Sequence, residues 1–298
     1  MKLRRNGFWG LLMFFLVSSL YLVNIGNAQI CEPPFCDPDV ENKFGERFAL
    51  VIGNSDYKAG AHLDNPQNDA ADIGLKLQEM GFKVETLIDA DYASMKAAIS
   101  RFGTQLVSGS RSVGLFYFAG HGMQQSDQNF LIPVDTVEII QTSGQVKGNA
   151  VSLNDVVDTM NRAEISIIVL DACRNNPMGE VITGSGRTLA RVSSKSAGVN
   201  SIDPGQKISP RQPIGGGLAQ PPKSSNRALF AYATSPGDTA ADGTGRNSPF
   251  TSGLLASLRK EHRLEDVFAE TSESVLKNTA KKQKPWLTHS LGDVKFYF

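Results

Sequence analysis

Two residues in this chain have the types and the spacing for nucleophilic chemistry. His121 lies in Phe118-Ala119-Gly120-His121-Gly122, and Cys173 follows 52 positions later in Leu170-Asp171-Ala172-Cys173-Arg174. A thiol is mostly protonated at neutral pH and attacks only as the thiolate. A neighbouring imidazole is the simplest base that can take its proton. Each residue follows an apolar run, 113–118 for the first and 165–170 for the second, and each run reads as a buried strand. If these strands are neighbours in a parallel sheet, both residues emerge at its carboxyl edge, where open α/β sheets place their sites.

Other elements must hold those two strands. Residues 47–52, 83–88 and 228–234 read as three more short strands. Asn65-Pro66-Gln67-Asn68-Asp69 opens a helix with Ala70, Ile73, Leu77 and Met80 at helical spacing, and Gly81 stops it. Ser94 is placed to cap the next helix, which carries Met95, Ile99, Phe102 and Leu106 on one face. Ser152 caps a helix with Val156, Val157 and Met160. Another begins near Pro249, and the last covers about 264–279. Residues 129–135 read as a short apolar extension, and Lys295-Phe296-Tyr297-Phe298 as a terminal strand. Alternating strands and helices predict an α/β fold with a mostly parallel sheet and helices on both faces.

Composition narrows the function classes. The 298 residues include 30 Lys and Arg against 30 Asp and Glu. Such a balance gives no reason to expect nucleic acid or an anionic membrane surface as partner. The N-terminus has a basic start at Lys2, Arg4 and Arg5, an apolar run over 8–25, and Gly26-Asn27-Ala28. This is the pattern of a secretory signal peptide, 1–28, cut after Ala28. It predicts an exported protein, periplasmic or secreted; left uncut, the segment would be an inner-membrane anchor. Residues 29–45 form an irregular leader containing Cys31 and Cys36. In an oxidising compartment these two could close a small disulfide loop, or remain two free thiols. Either way Cys173 is left over. From 178 to 226, Gly, Ser, Pro, Arg and Lys replace apolar periodicity, which predicts a flexible linker between regions 46–177 and 227–298.

The interval between His121 and Cys173 is close to the spacing of about 50 that separates the two catalytic residues in caspases, and Ala172-Cys173-Arg174 matches the core of their cysteine signature, with Asp171 where they carry Gln. Ala49-Leu50-Val51-Ile52-Gly53-Asn54, Asn68-Asp69-Ala70, Leu131-Ile132-Pro133-Val134-Asp135, Tyr232-Ala233-Thr234-Ser235-Pro236-Gly237 and Ser248-Pro249-Phe250-Thr251 follow the same family pattern in order. The chain resembles a caspase-domain cysteine peptidase of clan CD, nearest to the bacterial metacaspase-like branch, over about 48–286. The resemblance implies a three-layer α/β/α sandwich with large-subunit and small-subunit regions either side of the linker.

It also implies an endopeptidase working through a thioacyl-enzyme. Cys173 would be the nucleophile and His121 its base and later acid. The N–H groups of Gly122 and Cys173 would form the oxyanion hole. No third catalytic side chain is assigned, and the imidazole would be held partly by backbone groups. His62, His262 and His289 receive no role. Asp171 and Asp69 match the acids that form a pocket for a basic side chain, so cleavage after Arg or Lys is expected. Asp69 has an alternative reading as a helix N-cap, and Asp171 as a structural acid at a strand end. The basic linker is a candidate for self-cleavage or a plain surface loop. The expected partners are protein or peptide substrates. The rival function is an inactive module of the same fold that binds partners. No cofactor is expected. Calcium, which many metacaspases need, is left open but unsupported, since the segment after His121 is poor in the acids a calcium loop uses, and Cys31 and Cys36 lack a second ligand pair for zinc. The Gly-rich stretches at 184–186 and 215–217 follow no strand, so they fail as nucleotide loops.

Overall fold

A computed structural model describes residues 44–58, 61–108, 111–126, 128–173, 221–235 and 240–298. The expected signal peptide, Cys31, Cys36 and nearly all of the expected linker lie outside these residues. The elements are β1 (Arg47–Gly53), α1 (Pro66–Glu79), β2 (Lys83–Ile88), α2 (Tyr92–Ser108), β3 (Val113–Gln125), β4 (Gln128–Leu131), α3 (Val137–Ser143), β5 (Val151–Ser152), α4 (Leu153–Met160), β6 (Ile165–Cys173), β7 (Arg227–Tyr232), α5 (Pro249–Ser257), α6 (Leu264–Asn278) and β8 (Trp286–His289).

The central sheet has the order β2-β1-β3-β6-β7-β8. Pairing is parallel from β2 through β7, and β8 closes it antiparallel to β7. Side chains alternate across a strand, and the strands use both faces. Ala49, Val51, Leu115, Tyr117, Ile167, Val169, Leu229 and Ala231 pack with Ile73 and Leu77 of α1, Leu254 of α5 and Val267 and Phe268 of α6. Phe48, Leu50, Ile52, Phe116, Phe118, Ile168, Leu170 and Phe230 pack with Met95, Ile99 and Phe102 of α2 and Val156 and Met160 of α4. This is the three-layer α/β/α arrangement expected from the sequence. Gly53 lets α1 lie close on β1, since a Cβ there would stand 2.1 Å from the Pro66 carbonyl oxygen.

Four details differ from the expectation. Strand β3 does not stop before His121 but runs on to Gln125, where it pairs antiparallel with β4, part of the expected apolar extension. Helix α2 begins before Ser94, whose N–H is accepted by Asp91 Oδ1 at 2.7 Å, so the aspartate supplies the cap. The last strand is β8 and not 295–298; there Tyr297 makes only an isolated bridge to Arg263. Phe296 and Phe298 instead fill the core layer beside α6, because burying their rings outweighs extending the sheet. Helix α3 is an addition that the sequence pattern did not indicate.

Candidate active site

Register brings the two chemistry-bearing residues together. Phe118, Ala119, Gly120 and His121 of β3 stand opposite Leu170, Asp171, Ala172 and Cys173 of β6. Paired strands lie about 4.8 Å apart, so the His121 and Cys173 backbones are nearest neighbours at the carboxyl edge. Gly120 just before has φ +150°, and a Cβ there would come 2.5 Å from the Tyr57 hydroxyl.

The imidazole of His121 is buried. Its Nε2 lies 2.7 Å from the Ala61 carbonyl oxygen. A carbonyl only accepts, so Nε2 carries the proton and Nδ1 presents a lone pair. Nδ1 is buried and, among the described residues, has no hydrogen-bond partner. The Tyr57 ring packs on the imidazole at 4.5 Å between centroids. Burial holds the His121 pKa below the ordinary histidine value, while the Ala61 carbonyl works the other way. The result is a neutral ring of fixed tautomer with one free basic nitrogen. The loop carrying Ala61 is itself held: the Ser55 and Asp56 N–H groups donate to Asp89 Oδ1 at 2.8 and 2.9 Å, and the Leu63 N–H donates to the Ser55 carbonyl at 3.1 Å.

Beside this edge three acids line one cleft. Asp69 from α1, Asp171 from β6 and Asp242 from the loop before α5 share it with Leu63, Pro66, Gly120 and Ser248. Ser248 joins the two buried acids. Its N–H donates to Asp69 Oδ1 at 3.0 Å, its hydroxyl donates to Asp171 Oδ2, and its oxygen accepts the Thr251 N–H at 2.9 Å as the cap of α5. The Thr251 hydroxyl also donates to Asp171 Oδ2, at 2.8 Å. Because that proton is used, Tyr117 must donate to Thr251, 2.5 Å away. Asp242 is partly exposed; its carboxylate accepts the Asp64 N–H at 2.8 Å.

Among the described residues no Lys or Arg pairs with these three acids. Burial first, then the nearby Asp171 charge, pushes the Asp69 pKa far above the carboxylate range. Burial also raises Asp171, against the hydroxyl bonds from Ser248 and Thr251. Asp242 is raised by its burial as well. The cleft itself is narrow, with a cavity of about 10 Å³, room for a single water.

The sequence-predicted residues thus fall into one neighbourhood. The alternative reading of Asp69 as an N-cap does not hold: it lies inside the first turn of α1 and binds the N–H of a residue on another element. Gly122 begins the antiparallel stretch of β3, opposite Leu131. His62 and His262 stand near the acids Asp64 and Glu270, and His289 ends β8. Sequence reasoning missed Tyr57, the Ala61 carbonyl, Asp242 and the roles of Ser248 and Thr251. Only Ser248 before Pro249 carried a local signal, that of a helix cap.

Comparison with known proteins agrees with this architecture. The caspase domain model matches residues 46–297. The human mucosa-associated lymphoid tissue lymphoma translocation protein 1 is 29% identical over 131 residues, 43% of this chain and 15% of that protein. Its mouse homolog is 28% identical over 144 residues, 46% of this chain and 16% of its own length. The chain therefore spans only a small part of these relatives. A match that runs from the first strand of the sheet to the penultimate residue decides the family: this chain belongs to the caspase domain family, whose fold is typically that of cysteine peptidases.

Proposed function

We propose that this protein is a cysteine endopeptidase that cleaves after Arg or Lys. Cys173 is the nucleophile. Nδ1 of His121, the buried and unbonded ring nitrogen, takes the thiol proton and returns it to the leaving amine. Nε2 stays bonded to the Ala61 carbonyl, which stabilises the imidazolium formed in between. Backbone N–H groups of Gly122 and Cys173 receive the oxyanion, and water releases the acyl group. The reading needs no metal or organic cofactor, since thiol and imidazole supply both nucleophile and proton transfer.

The observation that carries the specificity is the acidic cleft. Buried carboxylates without a cation are costly, and here the missing cation would be the substrate's. Three acids favour a guanidinium or ammonium and repel an aspartate. A cavity of about 10 Å³ holds neither side chain, so the cleft must widen when substrate enters. That narrowness is also what favours the second reading, an inactive module of the same fold. Export through the 1–28 segment belongs to the proposal, and N-terminal sequencing of the mature chain tests it.

The test compares the wild type with Cys173→Ala on fluorogenic peptides ending in Arg, Lys or Asp. Arg or Lys cleavage that falls by about 10⁴-fold or more in the variant is expected. Cleavage after Asp would overturn the cleft assignment. No cleavage, together with no labelling of Cys173 by a thiol-directed peptide probe, would favour the binding module.

A further inference from the structure

At His121 the β3–β4 ladder is interrupted by a side chain. The Ile132 N–H donates to the His121 carbonyl at 3.0 Å, as an antiparallel pair requires. The return bond, from the His121 N–H to the Ile132 carbonyl, is not made. Instead the His121 N–H donates to the Tyr57 hydroxyl at 2.9 Å, and that hydroxyl donates to the Ile132 carbonyl at 3.1 Å. The phenol oxygen therefore occupies a rung of the ladder, accepting from one strand and donating to the other. Asn54 Nδ2 donates to the same Ile132 carbonyl at 3.1 Å, so the rung is anchored from the residue after β1 as well.

We infer that Tyr57 is the positioning residue for the His121 imidazole, with its hydroxyl wedged between β3 and β4 and its ring against the base. This inference rests on the proposed role of His121 as base.

Three features support the assignment. First, the hydroxyl fixes the backbone of His121 where β3, its pairing with parallel β1 ended at Ala119, takes up antiparallel β4 from Gly122. A strand changing partners there would otherwise be free to close the missing rung, drawing His121 toward Ile132 and away from Cys173. Second, the Tyr57 ring lies on the imidazole, 4.5 Å between centroids and inclined by 48°. Backbone and ring of the histidine are thus set by one side chain. Third, Gly120 makes room for the hydroxyl, since a Cβ there would stand 2.5 Å from it. The glycine before the histidine thus serves the tyrosine, in a backbone conformation that other residues rarely adopt. Tyr57 also precedes Ala61 by four residues in the same loop, so the tyrosine and the carbonyl acceptor reach the histidine together.

The experiment uses the full-length chain and Tyr57→Phe, which keeps the ring and removes the hydroxyl. Hydrolysis of an Arg peptide is expected to lose about 10- to 100-fold in kcat, with KM little changed, because a small misplacement of the base affects the chemical step and not binding. Tyr57→Leu, which removes the ring too, is expected to lose more. Hydrogen exchange of the His121 backbone and ring N–H groups, followed by NMR, gives a reading independent of catalysis. Both are expected to be protected in the wild type, and to exchange faster in Tyr57→Phe while the core strands do not. Unchanged kcat with unchanged exchange would overturn the inference. So would a loss spread evenly over kcat, KM and core exchange, which is ordinary destabilisation, or free exchange of both groups in the wild type. If the wild type cleaves no peptide, the proposed function falls, and exchange alone decides the role of Tyr57.

Discussion

His121 and Asp171 leave adjacent strands two register positions apart, and they are almost equally buried, 6% and 7% exposed. Their surroundings differ in kind. The imidazole meets one carbonyl and one aromatic ring, both neutral, and burial lowers its pKa. The carboxylate meets two hydroxyl donors and a cleft shared with two other acids, and burial raises its pKa. In both cases burial favours the uncharged form. For His121 as the proposed base that is the working state, because a neutral nitrogen with a free lone pair can accept a proton. For the acids it is a state that the proposed substrate cation would relieve. One sheet edge thus combines a site for transient charge with a site that lacks permanent charge compensation.

Asp171→Asn breaks the comparison most directly. It keeps the oxygen that Ser248 and Thr251 bond but removes the charge. We expect kcat/KM for Arg peptides to fall by about 10²-fold or more, mostly through KM, since truncating one partner of a buried charge pair is costly. The unfolding midpoint should hold or rise at neutral pH, because an uncompensated buried charge has been removed. A loss in kcat at constant KM would move Asp171 from binding to catalysis.

pH separates the two regions next. The Asp69 and Asp171 carboxyls titrate above the ordinary range, so KM for an Arg peptide should fall as pH rises from mildly acidic toward alkaline. His121, the proposed base, stays neutral to below its ordinary pKa, so the acidic limb of kcat should lie lower than for a free histidine. Stability follows the same signs. Raised carboxyl pKa values contribute stability below the unfolded values, and this is lost as pH rises through the folded ones. The lowered histidine contributes stability at higher pH, lost as pH falls through its unfolded and then folded values. Steady-state kinetics and thermal unfolding across pH would check both, and a KM that rises with pH would contradict the cleft assignment.

The smallest effect sharpens the contrast. Asp72 lies three residues after Asp69 on the same helix, but Arg246 meets it with two bonds of 2.8 Å, and Asn247 adds one of 3.0 Å. The pair is open to solvent on the arginine side, 63% exposed. Asp72→Asn should therefore cost less than about 1 kcal/mol in chemical denaturation, with KM for Arg peptides within about twofold. An acid that already has its cation should matter little, and a large rise in KM would extend the pocket to Asp72.

Much of the scaffold was legible in the sequence because its causes are local. Apolar runs at 47–52, 113–118 and 165–170 are short and rich in branched or aromatic residues, which favours buried strands over helices, and Ala70, Ile73 and Leu77 mark the inner face of α1. Ser152 caps α4 as its position suggested, accepting the Asn154 N–H at 3.2 Å. The terminal strand was misplaced because Phe296 and Phe298 look alike to a strand pattern and a core. β8 was missed because Trp286-Leu287-Thr288-His289 is short and half-exposed.

The sequence by itself determined the chemistry available: His121 and a leftover cysteine, each close behind an apolar run, and acids at 69 and 171. Residue type and periodicity are properties of the chain, so they can be read along it. Only the tertiary structure decided which nitrogen of His121 is free, that Ser248 joins Asp69 to Asp171, that Asp242 completes the cleft, and that the Tyr57 hydroxyl replaces a ladder bond. Each of these depends on groups far apart in sequence meeting within about 3 Å. Strand register and helix packing set such distances, and no local pattern encodes them.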